Sequence, residues 1–379
     1  TMLATLEKQL NSVFNDVRAT LEDWSSMRQK LRDIENIIKQ QPPPLNADDV
    51  KEDLAFLDWL DRDHFIFLGF REYELSPEDQ EDVLSITPHS GLGLLRSAND
   101  EATSRSFSHL PPKLRKLARK PSLLVITKSN TRSTVHRRGY LDYVGIKRFN
   151  ERGAVVGEWR FLGLYTSTAY SSRPKDIPLL RRKVQHVVQR SGFRSHGHSI
   201  KALINILETL PRGELFQSSE DELYDTATAI LHLQERQRVR LLVRRDPYGR
   251  FLSCMVFLPR ERFNTEIRTR VQEILLEAFN ASTVDFTVAL SESMLARIYL
   301  IVHTEPGSLP EYNVAEIETQ INDATDYVLA FQGTTPANPK EPEGELYEAN
   351  LVEAEPVVED ASEDLSEGNS SRYIKNRSA

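Results

Sequence analysis

The chain has 379 residues, enough for two folded domains, and 39% of them are hydrophobic, as is typical of a soluble globular protein. No stretch approaches the roughly 18 uninterrupted apolar residues of a membrane span, so no membrane partner is expected. The net charge of −8 excludes the strongly basic footprint of a dedicated nucleic-acid binder.

The cysteine content and the amino terminus indicate the compartment. Cys254 stands alone, so it excludes an intramolecular disulfide and a cysteine-based zinc site, and its apolar neighbours predict burial. The first residues, from Thr1 to Glu7, have no basic segment followed by an apolar core, as a secretory signal would. We therefore expect a cytoplasmic protein, and the initial threonine suggests an excised fragment.

N-terminal helices and a proline-rich linker are predicted for residues 1–45. Apolar residues recur there at helical spacing, as at Leu6, Leu10 and Phe14, which predicts one or two helices. The consecutive prolines that begin at Pro42 remove backbone donors and end this segment. Asn46 then has the side chain of a helix N-cap.

Residues 46–237 are expected to form an α+β domain with antiparallel strands and helices. Strand-like runs rich in β-branched and aromatic residues lie at 65–70, 122–127, 133–144 and 159–165. Helical periodicity follows over 177–189. Ser199 and Ser219 then have the residue type of N-caps, and Ser219 begins a capping box.

Residues 238–332 are predicted to form a second, ferredoxin-like α+β domain. Two strand-like runs are joined by Asp246-Pro247-Tyr248-Gly249, whose residue types suit a type I turn. A helix from about Asn264 is followed by two more strands and a last helix around Ile321. This order matches most of a ferredoxin-like sandwich, in which a closing strand would come next.

The end of the chain has a different composition. Residues 336–379 contain eleven acidic and four basic residues, so they hold nearly all of the net charge. Their apolar content is too low to offset the entropy of ordering, and we predict a disordered acidic tail over 333–379. The expected fold class is therefore α+β, with two α+β domains between the N-terminal helices and this tail.

The glycine patterns of a dinucleotide or phosphate site are missing. The nearest one, Gly91-Leu92-Gly93-Leu94-Leu95-Arg96, lacks the third glycine of G-x-G-x-x-G and is better interpreted as a tight turn. Lys128-Ser129 resembles the end of a P-loop, but no glycine precedes it at the spacing needed. No cofactor is therefore expected to bind this chain.

Two further sets of residues contain the types that catalysis or metal binding would use. Ser133, His136 and Asp142 are triad ingredients, but an extended strand would point Ser133 and His136 to opposite faces. His196 and His198 lack a clear third metal ligand, so a polar loop is the favoured interpretation. We predict neither a catalytic residue nor a metal site.

Basic residues are concentrated between Lys128 and Arg148. Alternation along a straight strand would place Lys128, Arg132 and His136 on one face, where they could bind a carboxylate or a phosphate. An interdomain or subunit salt-bridge surface is the favoured alternative, and RNA binding is less favoured still. These three residues are the candidates for a regulatory ligand, such as an amino acid or another carboxylate.

Several long segments between Asp49 and His303 resemble the large bacterial NAD-specific glutamate dehydrogenases. The most specific blocks are LDWLDRDHFIFLGFREY from Leu57, TKSNTRSTVHR from Thr127, YLDYVG from Tyr140, RFLGLYTS from Arg160, IPLLRRKV from Ile177 and LSES from Leu290. Blocks of this length are far more specific than a glycine-rich loop.

The resemblance implies that the chain is the N-terminal region of a much larger subunit, in which ACT-type ferredoxin-like domains precede the catalytic and nucleotide-binding domains. The whole protein would oxidise L-glutamate to 2-oxoglutarate and ammonium with NAD, a step of amino-acid catabolism. This chain, inactive alone, would supply regulation and contacts in a homo-oligomer. The alternative is a free-standing ACT-type amino-acid sensor or scaffold without catalysis, and a hydrolase that uses His136 is the least favoured.

Overall fold

Two antiparallel sheets organise the part of the chain that the structure describes. A computed structural model describes residues 2–75, 84–96, 119–194, 197–233, 238–289, 294–305 and 309–332. The predicted disordered tail and His196 lie outside these ranges. Both sheets belong to one compact unit.

The helices and strands fall into two α+β groups, as the sequence predicts. The first group contains α1 (Met2–Gln40), α2 (Ala47–Trp59), β1 (Phe65–Leu75), β2 (Leu84–Ile86), β3 (Leu92–Gly93), β4 (Leu124–Arg132), β5 (Tyr140–Phe149), β6 (Val155–Tyr165), α3 (Ser167–Ser171), α4 (Leu180–Arg190), α5 (His198–Thr209), α6 (Arg212–Gln217) and α7 (Glu220–Leu233). The second group contains β7 (Arg240–Arg245), β8 (Phe251–Pro259), α8 (Thr265–Ala278), β9 (Thr283–Ala289), β10 (Leu295–His303) and α9 (Val314–Gln332).

The N-terminal segment is one continuous helix. α1 has 39 residues, which at 1.5 Å per residue makes it about 58 Å long. Its C-terminal half buries Met27, Leu31 and Ile34 in the main core. Its first turns are exposed, including Leu6 and Leu10. The two sets of apolar residues that predict one or two helices therefore lie in a single helix. Only the set in its C-terminal half contributes to the main core.

The first sheet has the strand order β2-β1-β6-β5-β4, and β3 also pairs with β1. One face places Phe67, Val144 and Phe161 in the main core, which is shared with α1, α2 and the helices from α4 to α7. The opposite face carries a smaller apolar cluster of Leu68, Leu141, Leu162 and Leu164. Both faces thus carry buried apolar side chains, and a few buried charged residues, among them Arg71 and Glu158, lie within the strands.

The strand predicted for 133–144 begins later than expected. β4 runs on to Arg132, the chain turns over residues 133–139, and β5 starts at Tyr140. The backbone N–H of Ser133 donates to the carbonyl of Gly139 at 2.7 Å and closes the turn. The sequence predicts strand from residue 133, whereas residues 133–139 form the turn between β4 and β5.

The second sheet has the strand order β7-β8-β10-β9. All nine residues of β8 are buried, because both faces of this strand are covered. Cys254 and Val256 pack under α8 and α9, whereas Met255 and Phe257 point the other way into the main core. The second sheet is therefore covered on one face by its own helices and on the other by residues of the first domain.

β7 occupies the edge position beside β8, where a ferredoxin-like fold places its closing strand. It reaches this position as a hairpin with β8, through the turn predicted at Asp246. The N–H of Gly249 donates to the carbonyl of Asp246 at 2.8 Å, and Gly249 has a φ of +67°, a conformation that glycine adopts readily. A strand that precedes the first helix of this domain, β7, thus occupies the place of the closing strand.

Helix caps follow the sequence except at one helix. Asn46 accepts from the N–H of Asp48 at 2.9 Å, and Ser219 and Glu222 form the reciprocal bonds of a capping box. α5 instead begins with Gly197 as its N-cap, and Ser199 lies inside the helix. Among the described ranges, no helix is both long and apolar enough to cross a membrane.

Candidate functional site

The three basic residues predicted to share a strand face are separated in the structure. Lys128 and Arg132 both belong to β4, but the pairing of β4 with β5 shifts register between them. His136 lies in the turn after β4, exposed and with a φ of +73°. The straight strand that the alternation assumes therefore ends before His136, and each residue has its own surroundings.

Lys128 lies beside a buried carboxylate at the end of the first sheet. Its Nζ is 2.6 Å from Oδ1 of Asp142, and Oδ2 of Asp142 accepts from the N–H of Tyr165 at 3.2 Å. Burial, the largest single effect, would lower the pKa of Lys128, but the charge and hydrogen bond of Asp142, together with Tyr170, outweigh it and the pKa is raised. The side chain therefore remains an ammonium group, with N–H donors beyond those used by this ion pair.

Arg137 is the second cation near Lys128. Its Nη2 donates to the backbone carbonyl of Tyr165 at 2.9 Å, and its guanidinium carbon lies 5.5 Å from the ring centre of Tyr170. Because the chain turns back on itself after β4, Arg137 reaches the end of β6, a position that strand alternation does not predict. The sequence marked Arg137 only as one member of the basic segment.

The hydroxyl group of Tyr165 is buried and has no hydrogen-bond partner among the described residues. The Tyr165 ring stacks on Phe216 with 5.0 Å between centroids, and Trp59 lies 6.3 Å away. Burial, with Asp142 and Tyr170 nearby, raises the pKa of Tyr165 well above its ordinary value, so the group is a neutral donor. A buried hydroxyl without a partner costs about 1 to 3 kcal/mol.

These side chains form one cluster, which we call the Tyr165 site. Its members are Lys128, Arg137, Asp142, Tyr165 and Tyr170. Tyr170 is carried by α3, whose first turn is capped by Thr166.

The polar pair Asp63 and His64 lies near the same strand ends and has a structural role. Both residues are in the single π turn between α2 and β1. Nδ1 of His64 is 2.8 Å from the carbonyl oxygen of Trp59, and the two rings stack at 4.3 Å. The carbonyl of Asp63 accepts from the hydroxyl of Thr166 at 2.9 Å. These contacts fix the start of β1 against the end of β6.

Arg132 forms a salt bridge to the second domain. Its Nη2 donates to Oδ1 of Asp285 on β9 at 2.7 Å. Its guanidinium also lies 4.7 Å from the ring centre of Tyr140, and Tyr140 stacks on His303 of β10 at 3.7 Å. Arg132 therefore makes an interdomain salt bridge, which is the alternative that the sequence favours for the basic segment.

A more deeply buried polar contact lies between α6 and the second sheet. Glu214 and Arg244 form an ion pair whose side chains are 5% and 9% exposed. The hydroxyl of Tyr299 also donates to Glu214, at 3.0 Å. No pattern in the sequence predicts this contact. The sequence feature that could have indicated it is Arg244, a charged residue that directly follows the apolar residues of β7.

A third interdomain contact joins the turn before β8 to β4. Nη2 of Arg250 donates to the hydroxyl of Thr127 at 2.7 Å, and its Nε donates to Asp246 at 3.0 Å. Thr127 in turn donates to Oδ1 of Asp246 at 3.2 Å. Asp246 was predicted only as the first residue of a turn. The structure gives it this second role because the turn lies against β4.

The triad ingredients do not assemble into a hydrolytic site. The hydroxyl of Ser133 donates to the carbonyl of Val135 at 2.6 Å, and Asp142 is occupied by Lys128. His136 is exposed in the turn. Within the ranges that the structure describes, no three His, Cys, Asp or Glu residues form a group suited to a metal ion.

The incomplete glycine pattern at Gly91 is a packing turn. Gly93 pairs in β3 with a φ of +59°, and its N–H donates to Asp23 of α1 at 2.7 Å. Arg96 pairs with the same carboxylate. The segment therefore holds α1 against the first sheet, in agreement with its interpretation as a tight turn.

Comparisons with known proteins cover both domains. Residues 177–236 match the family model "Glutamate dehydrogenase, helical motif 1", and residues 240–327 match "Glutamate dehydrogenase, ACT2 domain". A solved structure of a blue-light activated histidine kinase from Erythrobacter litoralis aligns with 68% of this chain and 98% of that chain, at 10% identity. Its TM-score of 0.17 is too low to bear on the fold.

Three curated relatives carry the same name. The chain is 39% identical to the NAD-specific glutamate dehydrogenase of Halomonas elongata and 37% identical to that of Pseudomonas aeruginosa, over 84% of its length in both cases. It is 26% identical to that of Mycobacterium tuberculosis over 83% of its length. It spans only 20%, 20% and 18% of these proteins. The two adjoining domain matches and these relatives together show that the chain belongs to the NAD-specific glutamate dehydrogenase family.

Proposed function

We propose that this chain is a regulatory and assembly segment of an NAD-dependent glutamate dehydrogenase. The whole subunit would oxidise L-glutamate to 2-oxoglutarate and ammonium, with NAD bound outside this segment. One observation carries the proposal: every strand pair in the described ranges is antiparallel. A dinucleotide fold needs parallel strands joined by a crossover helix that begins at a glycine-rich turn.

The contacts between the two domains support a regulatory role. β4 carries Arg132 and Thr127, which bind Asp285 and Arg250 of the ACT domain. β4 also carries Lys128, so a ligand that moves the end of β4 would change contacts with the ACT domain. An amino acid or other carboxylate bound near Lys128, Arg132 or His136 is the regulatory ligand that we propose.

An apolar stripe on α1 supports a role in assembly. The stripe consists of Leu6, Leu10, Phe14 and Leu21, which are 49% to 73% exposed. Residues at this spacing lie along one side of a helix. Exposed apolar stripes of this kind mark contacts with other proteins, and we propose that a second copy of this chain covers this one.

The charges beside the stripe favour an antiparallel pair. Glu7 and Arg18 lie on the same flank of the stripe, at equal distances from a midpoint between Ser12 and Val13. In an antiparallel pair, Glu7 of each helix would face Arg18 of the other, twice over. A parallel pair would lack this match.

Two measurements test the proposed function. The purified chain is mixed with L-glutamate and NAD, and NADH absorbance is followed; we expect no turnover. An antibody to this chain is then used on extracts of the source cells, where we expect a polypeptide about five times longer than the chain. NADH formation by the chain alone would contradict the proposal, and a product of 379 residues would favour the free-standing sensor or scaffold.

We place the protein in the cytoplasm, where Cys254 would stay reduced.

A further inference from the structure

We propose that the Tyr165 site binds the carboxylate of a small organic acid. The inference rests on the proposed regulatory function and narrows its ligand site from the basic segment to Lys128, Arg137 and Tyr165.

Three donors belong to the Tyr165 site, where Arg137 and Asp142 bond to the backbone of Tyr165 and Asp142 also acts electrostatically on its hydroxyl. Lys128 uses part of its donor capacity on Asp142, and Arg137 uses Nη2 on a backbone carbonyl. Each cation has further N–H groups. The hydroxyl of Tyr165 adds a neutral donor without a partner among the described residues. A carboxylate has two oxygens and about four lone-pair sites, so it can accept from all three.

The charges of the site also favour an anion. Lys128 and Arg137 are cations and Asp142 is the one carboxylate in the cluster, so the cluster carries an excess positive charge. Burial weakens the screening of that charge by water. A single carboxylate would neutralise this positive charge, whereas a cationic ligand would be repelled.

Exposure decreases across the site from Tyr170 to Tyr165. Tyr170 is 40% exposed and the side chain of Lys128 is 20% exposed. Asp142 and Tyr165 are 3% and 4% exposed. Solvent therefore reaches Tyr170 and Lys128, whereas Asp142 and Tyr165 are shielded from it, and the ring of Phe216 stacks on that of Tyr165.

A purely structural role explains only part of this arrangement. The ion pair between Lys128 and Asp142 is complete without a ligand, and Arg137 holds the turn. Neither contact needs a hydroxyl on residue 165, because phenylalanine would make the same ring stack without burying an unpaired polar group. The hydroxyl is accounted for if a ligand oxygen accepts from it.

The test is calorimetric titration of the whole 379-residue chain with L-glutamate, 2-oxoglutarate and inorganic phosphate, together with thermal unfolding with and without each compound. We expect one or both organic acids to bind and to raise Tm, and phosphate to bind more weakly. Binding of L-glutamate alone would assign an amino acid, and binding of 2-oxoglutarate alone would assign an oxo acid.

Three variants locate the ligand. Tyr165→Phe should keep or raise Tm without ligand and weaken binding roughly tenfold or more, the loss expected for one hydrogen bond to a charged group. Arg137→Gln should weaken binding at least as much. The matched control Arg132→Gln, on the same strand end but facing Asp285, should bind as the unsubstituted chain does.

Two results would overturn the inference. One is that neither organic acid binds the chain, and the other is that Tyr165→Phe binds them with unchanged affinity. Loss of binding in Arg132→Gln but not in Arg137→Gln would also place the ligand elsewhere. None of these results depends on NADH formation, so failure of the site and failure of the proposed function can be told apart.

Discussion

Arg244 of β7 and Glu214 of α6 form a bidentate ion pair, with Nε to Oε2 at 2.9 Å and Nη2 to Oε1 at 2.8 Å. Burial would raise the pKa of Glu214, but hydrogen bonds and charge from Arg244 outweigh burial, and the pKa is lowered. The carboxylate therefore stays ionised inside the protein. Since the two residues come from different domains, the pair fixes how the second sheet sits on α6.

Replacing one partner of this pair should be strongly destabilising. Arg244→Met leaves the Glu214 carboxylate buried without its cation, which costs about 3 to 5 kcal/mol. The double variant Glu214→Gln with Arg244→Met should recover part of this loss, because no unpaired charge remains. Urea unfolding followed by circular dichroism measures both.

The control for this prediction is an exposed ion pair within the second domain. Arg270 and Glu273 of α8 are 55% and 56% exposed, so Arg270→Met should cost less than about 1 kcal/mol. If Arg244→Met costs no more than Arg270→Met, the buried pair does not hold the domains together.

Asp53 of α2 should make stability depend on pH. Burial, with Asp49 and Glu52 nearby, raises the pKa of Asp53 to about 7. A raised folded-state pKa gives stability that is present below the unfolded pKa and is lost as pH rises through about 7. Asp53→Asn removes this loss, so its Tm relative to the unsubstituted chain should be higher at pH 8 than at pH 4.

An exposed aspartate supplies the comparison for Asp53. Asp33→Asn, on α1, should change Tm by similar amounts at pH 4 and pH 8. Thermal unfolding of both variants at the two pH values decides the matter. A gain in Asp53→Asn that is equal at pH 4 and pH 8 would show that the carboxylate is not the cause.

Local signals in the sequence were sufficient for two helix caps and one turn. Asn46, the capping box at Ser219 and the turn at Asp246 each depend on groups within four residues, and the structure forms all three. The contacts between the two domains depend on distant residues. Glu214 and Arg244 are 30 residues apart, and no periodicity relates them.

The basic segment shows the same limit within one hairpin. Alternation grouped Lys128 with Arg132 and His136, because a single sequence does not reveal where a strand shifts register or turns. The register shift after Lys128 and the turn after Arg132 bring Arg137 to the end of β6 instead. The partners of these residues were fixed by how the hairpin folds back on the sheet.

Cys254 should report the opening of the second domain. The residue is 0% exposed, and burial raises the pKa of its thiol. Both effects prevent reaction with a thiol reagent, because attack requires an accessible thiolate. We expect no modification of the native chain, complete modification in denaturant, and faster modification in Arg244→Met.

An exposed thiol provides the reference rate for this measurement. Thr287 of β9 is exposed, so the variant Thr287→Cys with Cys254→Ala should react at once. If native Cys254 reacts as fast as this reference, the second sheet is not closed in solution.

The pairing of two α1 helices makes the most direct prediction about assembly. Leu10→Glu with Phe14→Glu places charge in the centre of the apolar stripe and should turn an associated chain into a monomer in sedimentation velocity. Ser12→Glu with Asn15→Glu adds the same charge away from the stripe and should leave association unchanged.

Charge exchange then tests the direction of the α1 pair. Glu7→Arg alone should weaken association, because two arginines then face each other at both ends of an antiparallel pair. Adding Arg18→Glu should restore association, since each new arginine again faces a glutamate. A parallel pair would not show this recovery, and a chain that is monomeric without any substitution would mean that something other than a second copy covers the stripe.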